Sequence, residues 1–109
     1  MQKETKEKIY YVDIDGILCQ NTYGNYEKAQ VTRENQEWID KINELYDKGN
    51  IIIIWTARGT IFKKNKENIK KLTKKQLKDW KVSYHKLKFG KPFYHKIIDD
   101  NSINRICDL

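Results

Sequence analysis

The chain has 109 residues, a length suited to one domain with a modest core, and its 39% hydrophobic and 34% charged residues are the composition of a soluble globular protein. No apolar run approaches the roughly 20 residues that cross a bilayer, and the opening "MQKETKEK" lacks the apolar segment of a secretory signal. A cytoplasmic protein without a membrane partner is therefore expected. The net charge is +7, and residues 63–81, with nine lysines against Glu67 and Asp79, carry all of the excess. A lysine run without arginine forks reads as a solvated helix face, which weighs against a nucleic-acid partner.

Residues 8–13 read as a buried strand, since Ile9, Tyr10, Tyr11 and Val12 all favour β structure. Residues 17–31, with Asn21, Gly24 and Asn25 among tyrosines, predict an irregular flap or short hairpin. Thr32 suits the N-cap of a helix running to about Lys48, with Trp38, Ile39, Ile42, Leu45 and Tyr46 on one arc. Gly49 suits the left-handed residue that stops it. "IIIIWT", residues 51–56, has no alternation and predicts a central parallel strand covered on both faces. A second helix is expected from about Thr60 to Trp80, with Ile61, Phe62, Ile69, Leu72 and Trp80 inward and the lysines outward. "VSYHKL", residues 82–87, predicts a third strand and "KIID", residues 96–99, a short fourth. The tail from Ser102 to Leu109 suits a last helical turn. Strands alternating with helices argue an α/β fold with an open parallel sheet and right-handed crossovers.

Sites in such sheets form at the carboxyl ends of the strands, and the polar residues respect that rule. Asp13 ends the first strand and Asp15 lies just beyond it; Thr56 ends the second, followed by Arg58; Asp99 and Asp100 end the fourth, preceded by Lys91 in "FGKPFYH". The period of two along an extended chain sends Asp13 and Asp15 to one side and Ile14 to the other, and Gly16 permits a sharp turn. Four carboxylates converging at one edge would repel, unless a divalent cation and a lysine sit among them. Mg²⁺ is the hard, oxygen-preferring candidate. One carboxylate could attack while its neighbour handles a proton.

"DIDGIL", an apolar strand ending in Thr56, Lys91 and then "DD" together resemble the four-motif signature of the haloacid dehalogenase-like superfamily, over nearly the whole chain. The resemblance implies a minimal three-layer Rossmann-like core without a cap domain and a Mg²⁺-dependent phosphatase. Asp13 would be the nucleophile and Asp15 the proton-transfer group. Thr56 and Lys91 would bind the phosphoryl group, with Arg58 as a further phosphate contact. Asp13, Asp15, Asp99 and Asp100 would hold the metal. Lys86 and Lys88 are rivals for the lysine role, but Lys91 has the Gly-Lys-Pro setting of the third motif. Ile17 departs from the pattern, which has Thr or Val after the glycine.

The start "YVDIDGILC", "WTARG" and "FGKPFYHKIIDD" are similar to small bacterial capsule or polysaccharide biosynthesis phosphatases, which implies a sugar phosphate or glycan precursor as substrate. Thinly covered sheet edges add a homo-oligomer to the expectations. Two alternatives stand beside this one: a nucleic-acid end phosphatase guided by the lysine helix, and a non-catalytic binding protein on the same fold. His85 and His95 are read as packing residues, and Tyr23 and Tyr26 as loop aromatics on the core. Cys19 and Cys107 match no metal-ligand spacing and are read as reduced thiols.

Overall fold

The computed structural model describes residues 7–60 and 65–109. Strand β1 spans Ile9–Val12, helix α1 Arg33–Asp47, strand β2 Ile51–Thr56, helix α2 Lys66–Asp79 and strand β3 Lys86–Phe89. Short 3₁₀ turns lie at Tyr26–Lys28 and Ile106–Asp108, the second beside α1. The sheet is open and all parallel in the order β1-β2-β3, with Tyr11 opposite Ile53 and Ile54 opposite Leu87. This is an α/β architecture consistent with a Rossmann-like fold.

Helix α1 begins where expected because Thr32 and Asn35 form a reciprocal cap. The Thr32 hydroxyl accepts from the Asn35 amide at 3.2 Å, and Asn35 Oδ1 accepts from the Thr32 amide at 2.9 Å. Gly49 at φ +96° turns the chain out of the helix. Ile39 and Ile42 then meet Val12, Ile52 and Ile54 in one core cluster, with Leu77 of α2 and Val82 in the same cluster. Both helices therefore pack on one face of the sheet.

This arrangement corrects the three-layer expectation. Two right-handed crossovers stepping in the same direction, β1 to β2 to β3, deliver both helices to the same side. The opposite face carries Ile9 and Tyr11, 61% and 54% exposed. Ile53 stays buried there between its register partner Tyr11 and Trp55, whose rings meet edge to face at 5.5 Å. The isoleucine run thus marks a central strand, covered by helices on one face.

Three further expectations shift. Residues Arg58–Thr60 form a turn, closed by the Thr60 amide on the Ala57 carbonyl at 2.9 Å, so α2 starts at Lys66 rather than near Thr60. Ile61 and Phe62 lie outside the described residues. The fully inward positions of α2 are Thr73, Gln76 and Leu77, while Ile69, Leu72 and Trp80 are half-buried.

Strand β3 starts at Lys86 instead of Val82. Asn43 of α1 donates to the Lys81 carbonyl and accepts from the Ser83 amide, both at 2.8 Å, which binds 81–83 into the helix-to-strand turn. The expected fourth strand is replaced by irregular chain, with Ile97 and Ile98 exposed. Among the described residues no helix is long and apolar enough to cross a membrane.

Candidate functional site

The carboxyl edge of the sheet gathers Asp13, Asp15, Thr56, Arg58 and Lys91. Past β1, Ile14 is fully buried in the core; Asp13 turns towards Lys91, while the Asp15 side chain meets Arg58 and Cys19 on the helix side. The chain then winds tightly over 14–19. Leu18 donates to the Ile14 carbonyl and Gly16, at φ +93°, to the Cys19 carbonyl, each at 2.8 Å. That turn frees the two carboxylates from the strand ladder. The Ile14 amide donates to Asp13 Oδ1 at 2.9 Å and fixes its rotamer.

Asp13 Oδ2 lies 3.5 Å from Lys91 Nζ, across 78 residues of sequence. Burial raises the Asp13 carboxyl above its ordinary range, and the Lys91 ammonium offsets part of that rise. Lys91 is itself buried and is fixed from several sides. Its amide donates to the Thr56 carbonyl and its carbonyl accepts from Thr60 Oγ1, both at 3.1 Å. Its ammonium sits 5.2 Å from the Tyr94 ring centre and 5.8 Å from that of Trp55. Lys86 and Lys88 are exposed, and their register opposite Ile53 and Trp55 puts them on the uncovered face of the sheet. Lys91 is the lysine at Asp13.

Arg58 differs from its expected role. The sequence places it as a phosphate contact, but it is only 1% exposed and turned inward. Its Nε and one terminal nitrogen donate to the two oxygens of Asp15 at 3.0 and 2.9 Å. The other terminal nitrogen donates to Thr73 Oγ1 at 3.0 Å and Gln76 Oε1 at 2.7 Å. The Tyr26 ring stacks against the guanidinium at 4.6 Å, and Gln76 Nε2 donates to the Tyr26 carbonyl at 2.7 Å. The physical reason is satisfaction: Thr73 and Gln76 are buried polar groups on α2, and they take the donors of a buried cation. Thr56 is fully buried, with its hydroxyl accepting from the Arg58 amide at 3.1 Å.

Thr73 and Gln76 are site neighbours with no role assigned from sequence, and Cys19, expected only as a reduced thiol, joins them. A threonine and a glutamine three residues apart among Ile69, Leu72 and Leu77 were the available signal. Cys19 Sγ lies 3.5 Å from Asp15 Oδ1, and burial, then the Asp15 charge, push its thiol up to about 12.

Asp99 and Asp100 do not join the others. Both are exposed, and Asp99 Oδ1 accepts from the Asn101 amide at 3.0 Å in a surface turn. That bond is the main cause holding the Asp99 carboxyl below its ordinary value. Without a fourth strand, nothing carries this pair to the sheet edge. Among the described residues no three His, Cys, Asp or Glu side chains are grouped to hold a metal. The arrangement therefore does not fit the expected four-carboxylate Mg²⁺ set: Asp15 is paired with Arg58, and Asp99 and Asp100 lie on the surface away from Asp13. His85 has a packing role, its Nδ1 accepting from the Ile52 amide at 3.1 Å and its ring stacked on Tyr46 at 4.5 Å. His95 meets Phe93 edge to face at 5.7 Å.

An open cavity of about 460 Å³ lies between the β2–α2 turn and the end of β3, bordered by Arg58, Gly59, Thr60, Lys66, Ile69, Lys70, Phe89 and Gly90. Neither Asp13 nor Lys91 lines it.

No protein-family model matches the chain, and no curated protein matches it. Among solved structures the chain is similar to the crystal structure of a target protein from Vibrio cholerae. The two share 27% identity with a TM-score of 0.70, over 88% of this chain and 82% of that one. The likeness supports a small α/β fold built on a parallel sheet.

Proposed function

We propose that the protein is a phosphomonoester hydrolase working through an aspartyl-phosphate on Asp13, on a capless core like that of the haloacid dehalogenase-like superfamily. The observation that carries this reading is the Asp13–Lys91 pair at the carboxyl edge of a parallel sheet, with Thr56 closing the same edge. A half-buried carboxylate beside a fixed ammonium is a nucleophile placed where an anionic phosphoryl group is attracted.

In the first step an Asp13 oxygen forms a bond to phosphorus while the ester P–O bond breaks, and Asp15 supplies the proton that the leaving oxygen takes up. In the second, water attacks phosphorus, Asp15 takes its proton, and the Asp13–phosphorus bond breaks to release inorganic phosphate. Lys91 offsets the negative charge shared by Asp13 and the phosphoryl oxygens throughout. Magnesium enters through the superfamily resemblance as the condition of the assay; the described side chains gather no cation site. The narrower similarity to capsule or polysaccharide biosynthesis phosphatases extends the reading to a sugar phosphate or glycan precursor.

Hydrolysis of p-nitrophenyl phosphate, with and without added Mg²⁺, tests the reaction class. The expected result is turnover by the wild type and none by Asp13→Asn. Full activity in Asp13→Asn would defeat the mechanism, and an inert wild type across a phosphorylated-metabolite panel would defeat the class. A homo-oligomer belongs to the same reading, since among the described residues the sheet leaves Tyr11 exposed and β1 with a free edge. Sedimentation equilibrium returning the monomer mass would remove it.

A further inference from the structure

We propose that Arg58 is a positioning residue: it holds Asp15 as the base of the water step rather than binding phosphate. The inference rests on the phosphatase reading above and assigns a division of labour within it. The guanidinium is buried, and its fork meets both Asp15 oxygens at 3.0 and 2.9 Å. An arginine so placed cannot reach a phosphate at the solvent edge without abandoning Asp15, Thr73 and Gln76. Side-on pairing uses one lone pair on each carboxylate oxygen; Cys19 Sγ meets Oδ1 at 3.5 Å, so Oδ2 is the oxygen left to accept a proton.

The fork is itself over-determined. Thr73 Oγ1 and Gln76 Oε1 hold its second terminal nitrogen from α2, and the Tyr26 ring covers it from the flap. Gln76 closes the loop by donating to the Tyr26 carbonyl at 2.7 Å. Helix α2, the flap and the β2–α2 turn thus converge on the orientation of one carboxylate. General-base catalysis depends on that orientation, because a base displaced from the water loses proximity before it loses basicity.

The water step needs the base, whereas p-nitrophenolate leaves without a proton. Stopped-flow hydrolysis of p-nitrophenyl phosphate in Mg²⁺ buffer therefore separates the roles. In Arg58→Lys the charge remains but the fork is lost. We expect kcat to fall by about 10²-fold while kcat/KM stays within about threefold. A burst approaching one p-nitrophenolate per chain should appear as the aspartyl-phosphate accumulates. Gln76→Met, which removes one Arg58 acceptor without touching Asp15, should show the same pattern at about tenfold in kcat, the worth of one charge-assisted hydrogen bond. It also serves if Arg58→Lys does not fold.

Equal losses in kcat and kcat/KM without a burst, in whichever of the two variants folds, would overturn the positioning role and leave the phosphatase reading standing. A wild type that hydrolyses neither this ester nor any phosphorylated metabolite would overturn both.

Discussion

Replacing Lys91 by methionine tests the electrostatic centre of the site. The change keeps most of the aliphatic stem against Trp55 and Tyr94 and removes only the charge that faces Asp13. At their 3.5 Å separation a unit pair is worth about 5 kcal/mol at an effective dielectric of about 20, and about 1 kcal/mol in water. Lys91 is 11% exposed at its side chain but Asp13 is 37% exposed, so solvent screens the pair towards the lower figure. About 2 kcal/mol is a reasonable working value, equivalent to a loss of about 30-fold in kcat/KM. The sign of the pH effect follows from the same pair. Asp13 attacks in its ionised form, and burial already raises its carboxyl while Lys91 offsets part of the rise. Without Lys91 the carboxyl rises further, so the acid limb of the kcat/KM profile must move to higher pH. The assay is p-nitrophenyl phosphate hydrolysis from acid to neutral pH, for wild type and Lys91→Met. A variant within twofold of the wild type, with its acid limb unmoved, would refute the assignment of Lys91 as the partner of the nucleophile.

Three other outcomes follow from the geometry. Native protein treated with a thiol reagent at pH 8 should react quickly at Cys107 alone, because Cys107 is exposed whereas Cys19 is buried with its thiol pushed up to about 12. Two rapid equivalents before denaturant is added would contradict that. Thr32→Ala removes half of the reciprocal cap on α1 and should cost about 1 kcal/mol, a fall of about 5 °C in Tm by calorimetry, with KM unchanged. Leu77→Ala opens a hole where α2 meets the sheet and should cost about 2–5 kcal/mol in urea unfolding; a midpoint equal to that of wild type would show that α2 is not anchored there.

Local signals carried most of the fold. The Thr32 cap, the arc of Ile39 and Ile42, the stop at Gly49 and the apolar run of β2 all stand where pattern and propensity put them. What failed was set by contacts between distant segments. Residues 82–85 have strand-like composition, yet Asn43, 40 residues away from Ser83, draws that stretch into a turn. The number of layers was equally hidden. An uninterrupted isoleucine run says that a strand is central; whether helices cover one face or both depends on the direction in which successive crossovers step. Asp99 and Asp100 were misplaced because their convergence required a fourth strand at 96–99, and that stretch is irregular.

The site shows the same division at the scale of side chains. Asp13 and Thr56 were legible because strand ends in a parallel sheet point to one edge whatever the loops do, and Lys91 through its Gly-Lys-Pro setting. Arg58 follows Thr56 by two residues, and that spacing fits a residue reaching outward to phosphate as well as one folding inward to Asp15. What separates the two is the number of acceptors within reach. Thr73 and Gln76 sit three residues apart on the apolar side of α2, and a buried hydroxyl and a buried amide require hydrogen-bond partners. A cation without such acceptors would cost far more to bury than its pairing with one carboxylate returns, so an arginine in their absence would turn outward. With them present, the guanidinium is neutralised by Asp15 and satisfied by α2. The two polar residues that look like flaws in the helix's apolar face are thus what allow Arg58 to be an internal support.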